Sequence, residues 1–591
     1  MSLTILPLDP LSRVTGSCTL VHEPTHDTRV LIDCGAYQGE YDSAVQNKAP
    51  FPFDPKSIHC VLLTHGHYDH CGRLVELYRQ GFRGRVYGSR ESIEIAKIVL
   101  LDSAKIKKDS GAKRIIERKI DWYPLQTLFE KKRRPIAQNL SVNTLRAGHI
   151  IGAVSFMLFH KEDGEWVNVI FSGDIGNNIK NREVQPLLAR RMSPSYTQQI
   201  AVMEGTYGDR CRCPTDLDAS ARRAQLRELV LGGVERGGPV IIPVFAVQRM
   251  QDVLYDLHIL MAEDPGFLKG IPVLVDGPMG GAVSEVLRDA LKRDFASSNG
   301  KVRPLWMAKT ACSDLGLDPA NPDHLEVARD LWGRVYEKPE PFKPGAIVDA
   351  PRAVRQGGEA LPSPASRFRV QRSGVLPKDR KRIMGSQGPK VVVASGGMCV
   401  GGPVRQWLAQ NLDREECSVI LTGFCTPGSL ADRLLKLQNL ASDQRALYQE
   451  ALQVEGRTLR LCDIASSISS IAGYSGHADQ AGLLDWAFPR DAEGKRRAVA
   501  ERILITHGSD SARRGLRDAL TATAVEEGLS VVVDLPAPEC DGIDVGTGAS
   551  VPREQVLGKE GGARPSPRDA YEALTRAQRE ALPEVLRRAL E

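Results

Sequence analysis

Short runs in which apolar, often β-branched residues alternate with polar ones dominate the first third of the chain: Ser17–His22, Arg29–Asp33, His59–Thr64, Gly84–Tyr87, Val154–His160 and Trp166–Ser172. A period of two bounded by turn residues predicts strands. A single long helical stretch, Arg90 to about Arg118, lies among them, so this part is expected to be a sheet-rich layer with helices outside. From about Thr206 the pattern changes. Pro239–Pro243, Pro272–Asp276, Val391–Ala394 and Ser418–Leu421 are apolar on both faces and alternate with helices starting near Gln248 and Gly281 and spanning Val404–Asn411. That pattern predicts a parallel α/β sheet in a second domain. Between Ala296 and Pro389 the sequence is rich in Pro, Gly and Arg around a helix near Leu325–Tyr336, and reads as a long insertion or mobile lid, or equally as a structured subdomain. A further strand, Ile503–Thr506, ends at His507. After Asp541 the chain is Gly/Pro-rich up to a final helix, Pro567–Glu591, whose apolar face (Leu574, Ala577, Leu582, Val585, Leu586, Leu590) suits docking on this chain or in a homodimer.

A length of 591 residues predicts two to four domains. Lys+Arg 78 against Asp+Glu 73 gives a net charge of +5, so any nucleic-acid site must be local. The basic candidates are Lys105–Arg114, Lys131–Arg134 and Arg367–Arg382. No apolar run is long enough for a membrane span and no secretory signal is read, which points to a cytoplasmic protein without a membrane partner. The twelve cysteines read as reduced thiols, with Cys211 and Cys213 a weak metal candidate. Histidine is more telling: of twelve, six fall in four short motifs at 65–70, 149, 477 and 507.

The strand His59–Thr64 stops at His65-Gly-His67-Tyr-Asp69-His70. Its end holds the first two imidazoles, and the following turn carries Asp69 and His70 to a different point, which implies two metal positions. Imidazole and carboxylate without thiolate suit Zn²⁺ or a similar ion in a catalytic site. Further ligands must come from other strand ends. His149 follows Arg146-Ala-Gly, and Asp174 ends Phe171-Ser-Gly. A carboxylate between two cations can bridge them, the role expected of Asp174. Asp33, also at a strand end, is expected to orient a ligand or the bound water.

With the second domain the pattern resembles a known family. HGHYDH, then GH and GD, resembles the metallo-β-lactamase fold. Val202-Met-Glu204-Gly-Thr-Tyr-Gly208, Ala394-Ser-Gly-Gly-Met398, Gly423-Phe-Cys-Thr-Pro-Gly428, Ser475-Gly-His477-Ala-Asp479 and Thr506-His507-Gly508 resemble the signatures of the β-CASP nucleases, the family of RNase J, the polyadenylation endonuclease and Artemis. The resemblance runs from about Leu6 to Leu535. It implies an α/β fold, a metallo-β-lactamase αββα sandwich over 1–205 and 471–540, with a β-CASP domain inserted at 206–470 and a linker and helix at 541–591.

The resemblance further implies that His65, His67 and His149 hold one zinc, that Asp69, His70 and His507 hold the other, and that Asp174 bridges; Mn²⁺ is a substitute. His477 would be the general acid, Glu204 would hold it, and Asp33 and Asp69 complete the catalytic set. Ser395, Gly396 and Gly397, after an apolar strand, are the expected phosphate contacts, with Arg367 from the basic segment. The implied activity is hydrolysis of single-stranded RNA. DNA cleavage and a silent RNA-binding subunit are the alternatives. His507, usually missing from the DNA-directed branch, favours RNA. GFCTPGS departs from the family's GYQxxGT, and the 276–391 region is longer than in compact members, so chemistry transfers more safely than substrate choice.

Overall fold

The computed structural model describes residues 3–558 apart from 9–13, 39–42, 127, 130–132, 163, 297–301, 343–354, 357–358, 361, 424, 426–427, 439, 441 and 538. The final helix expected at Pro567–Glu591, and with it the dimer expectation, lies outside the described residues, as do parts of KKRR and GFCTPGS.

Two sheets form the sandwich. The first has eight strands and runs from antiparallel (Ser550–Val551, Gly542–Asp544, Thr4–Pro7, Thr19–Glu23) into parallel pairing (Thr28–Ile32, Ile58–Leu62, Arg85–Gly88, Asp121–Pro124). The second has seven strands. Its central strand Gln198–Glu204 pairs in parallel with Glu165–Phe171 on one side and with Ala500–Thr506 on the other. The chain therefore leaves this sheet at Glu204 and returns beside it, Glu204 opposite Thr506, after building the inserted layer. The period of two explains the layering. Ile200 and Val202 face the core shared with the first sheet, while Ala201 and Met203 pack under the helices Gln480–Ala487 and Asp510–Glu526.

The inserted layer is a six-stranded, all-parallel sheet in the order Ser373–Gly374, Val273–Asp276, Lys390–Ser395, Pro239–Val244, Ser418–Thr422, Ser467–Ile471. Both faces are buried, as the continuous apolar runs require: Val240 and Ile242 face the helix Arg249–Glu263, and Ile241 and Val392 face the helix Val404–Asn411.

Two expectations are corrected, and of the two readings left open for the 296–389 stretch the structured subdomain is the one its described part supports. The stretch from Arg90 is two helices, Arg90–Ile106 and Ser110–Arg118, because Lys108 takes positive φ and Asp109 caps the second. The described part of the 296–389 stretch includes a docked unit rather than a lid: the Pro322–Val335 helix stacks Trp332 on Tyr255 at 4.0 Å, and Arg223 pairs with Asp314. Residues from 541 to 558 are not linker, since two of their strands extend the first sheet.

Candidate metal centre

The six strands that carry site residues end at one edge of the sandwich. Ile58–Leu62 leads to His65, Leu140–Arg146 to His149, Glu165–Phe171 to Asp174, Ala500–Thr506 to His507, Thr28–Ile32 to Asp33, and Gln198–Glu204 ends on Glu204 itself. Asp33 and His507 have positive φ, which turns the chain sharply across the edge. Such non-glycine conformations persist only where the surroundings hold them.

The ligand loop is clamped by backbone. Cys34 N–H donates to His70 O at 2.9 Å, Ala36 N–H to Tyr68 O at 3.1 Å and Ser17 N–H to Asp69 O at 2.9 Å. A Cβ on Gly35 would stand 1.5 Å from Asp69 O, so only glycine fits there. On the other side, Gly176 pairs with His477, Ala478 N–H donates to Ile175 O at 2.7 Å, and a Cβ on Gly176 would stand 1.9 Å from Gly148 O.

His65, His67, His149 and Asp174 offer one donor atom each to a common point, and so do Asp69, His70 and His507. Four donors about 2.1 Å from a metal in a tetrahedron stand about 3.4 Å apart. In the first group His65 Nε2 is 3.1 Å from His67 Nδ1, which is 3.2 Å from His149 Nε2; Asp174 Oδ2 lies 3.4 Å from His65 Nε2 and 3.5 Å from His149 Nε2. The spacing fits a bound cation. In the second group His507 Nε2 stands 3.8 Å from both Asp69 Oδ2 and Asp174 Oδ1, and His70 Nε2 3.3 Å from Asp174 Oδ1. Asp174 therefore presents one oxygen to each group. His70 Nε2, Asp174 Oδ1 and His507 Nε2 are buried without hydrogen-bond partners, a costly arrangement that a metal ion would satisfy. The residues fit a metal-binding site.

Behind the ligands, Asp33 Oδ2 accepts from His70 Nδ1 at 2.7 Å and from Thr64 Oγ1 at 2.8 Å, and Thr64 Oγ1 lies 3.1 Å from His65 Nδ1. This chain leaves Nε2 of both imidazoles as the ligating atom. Thr64, the hub, carried no signal in the sequence beyond preceding His65.

Burial, reinforced by neighbouring imidazoles, pushes His67 down to about 3 and His65 and His149 below the ordinary value, so all three are neutral and able to ligate. Burial would raise Asp174, but His70, His65 and His507 hold its carboxyl well below the usual range. Burial also works against a proton on His70, yet Asp174 and Asp33 outweigh it and hold its pKa well above the usual value. Those carboxylates equally favour a metal cation at that point.

His477 completes the cluster. Its Nδ1 is 3.0 Å from Glu204 Oε2 and its Nε2 is 3.9 Å from Asp174 Oδ2. Burial opposes its protonation, but Glu204, helped by Asp174 and Asp69, outweighs burial and raises its pKa. Glu204 is held in turn by Ile175 N–H. Ser395, Gly396 and Gly397 lie at the C-terminal end of a central strand of the inserted sheet, where Gly396 N–H donates to Val244 O and Gly397 packs on Phe245. From the same edge Gln248 Oε1 accepts from Ile151 N–H, two residues past His149, which places this edge beside the metal loops. Arg367 is not gathered there. It is exposed in the single turn Ala365–Arg367, next to Phe368, which packs on Trp332 and His258.

Comparison with known proteins agrees with this geometry. Residues 11–122 match the metallo-beta-lactamase superfamily and residues 250–434 match the Beta-Casp domain. The fold and the ligand cluster thus define a metallo-β-lactamase protein. Within that superfamily the chain belongs to the β-CASP family, its inserted parallel sheet being the β-CASP domain. It is 28% identical over 528 residues to Ribonuclease TTHA0252 of Thermus thermophilus, covering 89% of this chain and 98% of that one. It is 24% identical over 520 residues to Transcription termination factor FttA of Methanococcus maripaludis, covering 85% of this chain and 66% of that one. It is also 28% identical over 315 residues to Cleavage and polyadenylation specificity factor subunit 3-I of Arabidopsis thaliana, 50% of this chain and 42% of the plant protein. No helix among the described residues is long and apolar enough to cross a membrane.

Proposed function

We propose that this protein is a cytoplasmic, zinc-dependent ribonuclease that hydrolyses phosphodiester bonds of single-stranded RNA. The observation that carries this reading is the meeting of seven ligand groups with the His477–Glu204 pair at one edge, beneath an inserted domain. The similarity to a ribonuclease over nearly its whole length supports RNA as substrate.

His65, His67 and His149 would hold one ion, Asp69, His70 and His507 the other, with Asp174 shared; Mn²⁺ is the expected substitute. Two such ions, when bound, supply Lewis acidity and a nucleophilic water at neutral pH. The chain does the rest. Asp33, through Thr64 and directly, fixes the tautomers of His65 and His70. Glu204 keeps a proton on His477 Nδ1, so that Nε2 can deliver its own proton to the departing 3′ oxygen, a general-acid contribution of about 10²–10⁴ in rate. With Gly396 N–H engaged by Val244 O, the edge bearing Ser395, Gly396 and Gly397 would offer phosphate oxygens the Gly397 amide and the Ser395 hydroxyl.

Labelled RNA and DNA single strands of one sequence, incubated with the zinc-loaded protein, test the reading. Cleavage of RNA in preference to DNA, abolished by a chelator, is expected. Preferential DNA cleavage, or RNA cleavage that survives the chelator, would overturn it.

A further inference from the structure

Among the described residues, Cys211 and Cys213 join no cluster of metal-ligating side chains. Their thiols are exposed, with Cys211 Sγ directed at Gln480 and Cys213 Sγ at Thr215. The residue between them is the informative one. Arg212 is half-buried; its Nη1 donates to Asn177 Oδ1 at 3.0 Å, and its guanidinium stands 5.1 Å from the centre of the Tyr207 ring. Nη2 is buried with no hydrogen-bond partner. Asp479 accepts from the Arg212 backbone N–H and from Gly482 N–H, not from the guanidinium, and among the described residues no carboxylate forms an ion pair with that group. Burial lowers its pKa, and Tyr207, Asp479 and Asp216 offset only part of that. A buried cation without a counter-charge is costly unless a ligand provides one, and a planar guanidinium with an uncommitted N–H suits a phosphate.

Its place relates it to the leaving-group side of the reaction. Tyr207, its aromatic neighbour, also meets the His477 ring edge-on at 5.6 Å, and its hydroxyl lies 3.1 Å from Ser475 Oγ. Asn177, its hydrogen-bond partner, donates to Ser475 O and follows Gly176, the residue paired with His477. The guanidinium and the general acid thus share Tyr207 as a neighbour, and Asn177 links the guanidinium to the backbone two residues before His477.

We propose that Arg212 binds the RNA phosphate immediately 5′ of the scissile one, on the product that leaves with the 3′ hydroxyl. This rests on the ribonuclease reading and on His477 as its general acid. Such a contact grips the departing strand and would set a minimum length of substrate upstream of the cut.

The test compares wild type, Arg212→Ala and Arg212→Lys, all metal-loaded, on a single-stranded RNA oligomer in which one phosphate at a time is replaced by an uncharged methylphosphonate. Loss of a charged hydrogen bond predicts a KM at least about tenfold higher for R212A, with the smaller effect on kcat, and an intermediate KM for R212K. Methylphosphonate one position 5′ of the cut should cost wild type a similar factor and cost R212A nothing more. An unchanged KM, or the same methylphosphonate penalty in both proteins, would overturn the proposal. So would a fall in kcat alone, which would make Arg212 a positioning residue for His477. If wild type binds the oligomers without cutting them, the ribonuclease reading fails, and the same comparison made on Kd decides Arg212 by itself.

Discussion

His477 Nδ1 and Glu204 Oε2 lie 3.0 Å apart although 273 positions separate them in the chain. The contact exists because the strand ending at Glu204 pairs with the strand returning from the inserted domain, and because His477 is held by its backbone against Gly176. It joins the two ends of the insertion at the point where the proposed mechanism needs a proton.

That pair sets the pH response. On the proposed mechanism His477 acts while protonated, and against burial Glu204, with Asp174 and Asp69, holds its pKa above the ordinary value. The acid form is therefore present below this raised pKa and is lost as pH rises through it. In Glu204→Gln the strongest of the charges opposing burial is gone and only Asp174 and Asp69 remain, so the alkaline limb of the kcat profile should move to lower pH. A limb at the same pH in wild type and E204Q would remove Glu204 from this role.

Asp33→Asn tests the support behind the ligands. Asp33 accepts from His70 Nδ1 and from Thr64 Oγ1, and its loss frees the tautomers that present Nε2. Removing such a partner is expected to weaken metal affinity about 10–100-fold. Competition against a chelator of known affinity measures it, and an unchanged affinity would contradict the assignment.

Gly35→Ala should damage fold and site together. The added Cβ would overlap Asp69 O, backbone that cannot yield without moving the ligand loop. A loss of about 3 kcal/mol or more in denaturant unfolding, with reduced metal content, is expected. Near-wild-type stability would show that the Cys34–Ala36 clamp is loose.

The segment carrying His477 is also tied to a buried pair inside the inserted domain, through Tyr474 O–H and Gly473 O. Arg222 Nε meets Asp256 Oδ2 at 2.7 Å, both side chains essentially without exposure, and Tyr474 O–H donates to the same carboxylate at 2.8 Å. Asp256→Asn strands a buried guanidinium and should cost about 3–5 kcal/mol. Urea denaturation gives the number, and a loss below about 1 kcal/mol would mean that the pair is not what anchors that segment.

These residues show what could be read in the chain beforehand. The cluster His65–His70 was legible because metal ligands at a strand end need particular residue types at short spacing. The parallel sheet was legible because strands buried on both faces are continuously apolar. Partners distant in the chain were not. Arg372 and Arg380 read as free positive charge for RNA, but Arg372 donates to Glu337 O and Arg334 O, and Arg380 is paired with buried Asp276. Nothing in the sequence marks Gly35 or Gly176, and only the close approach of another backbone shows why they must lack a side chain.

The most direct test of the central claim is metal content per chain, measured beside RNA cleavage in wild type, Asp174→Ala and His477→Ala. Wild type should hold two zinc ions and cut RNA. D174A, lacking the shared carboxylate, should lose both metal and activity, whereas H477A should keep both ions and lose most turnover. A D174A protein that retains two zinc ions and still cleaves RNA would contradict the account.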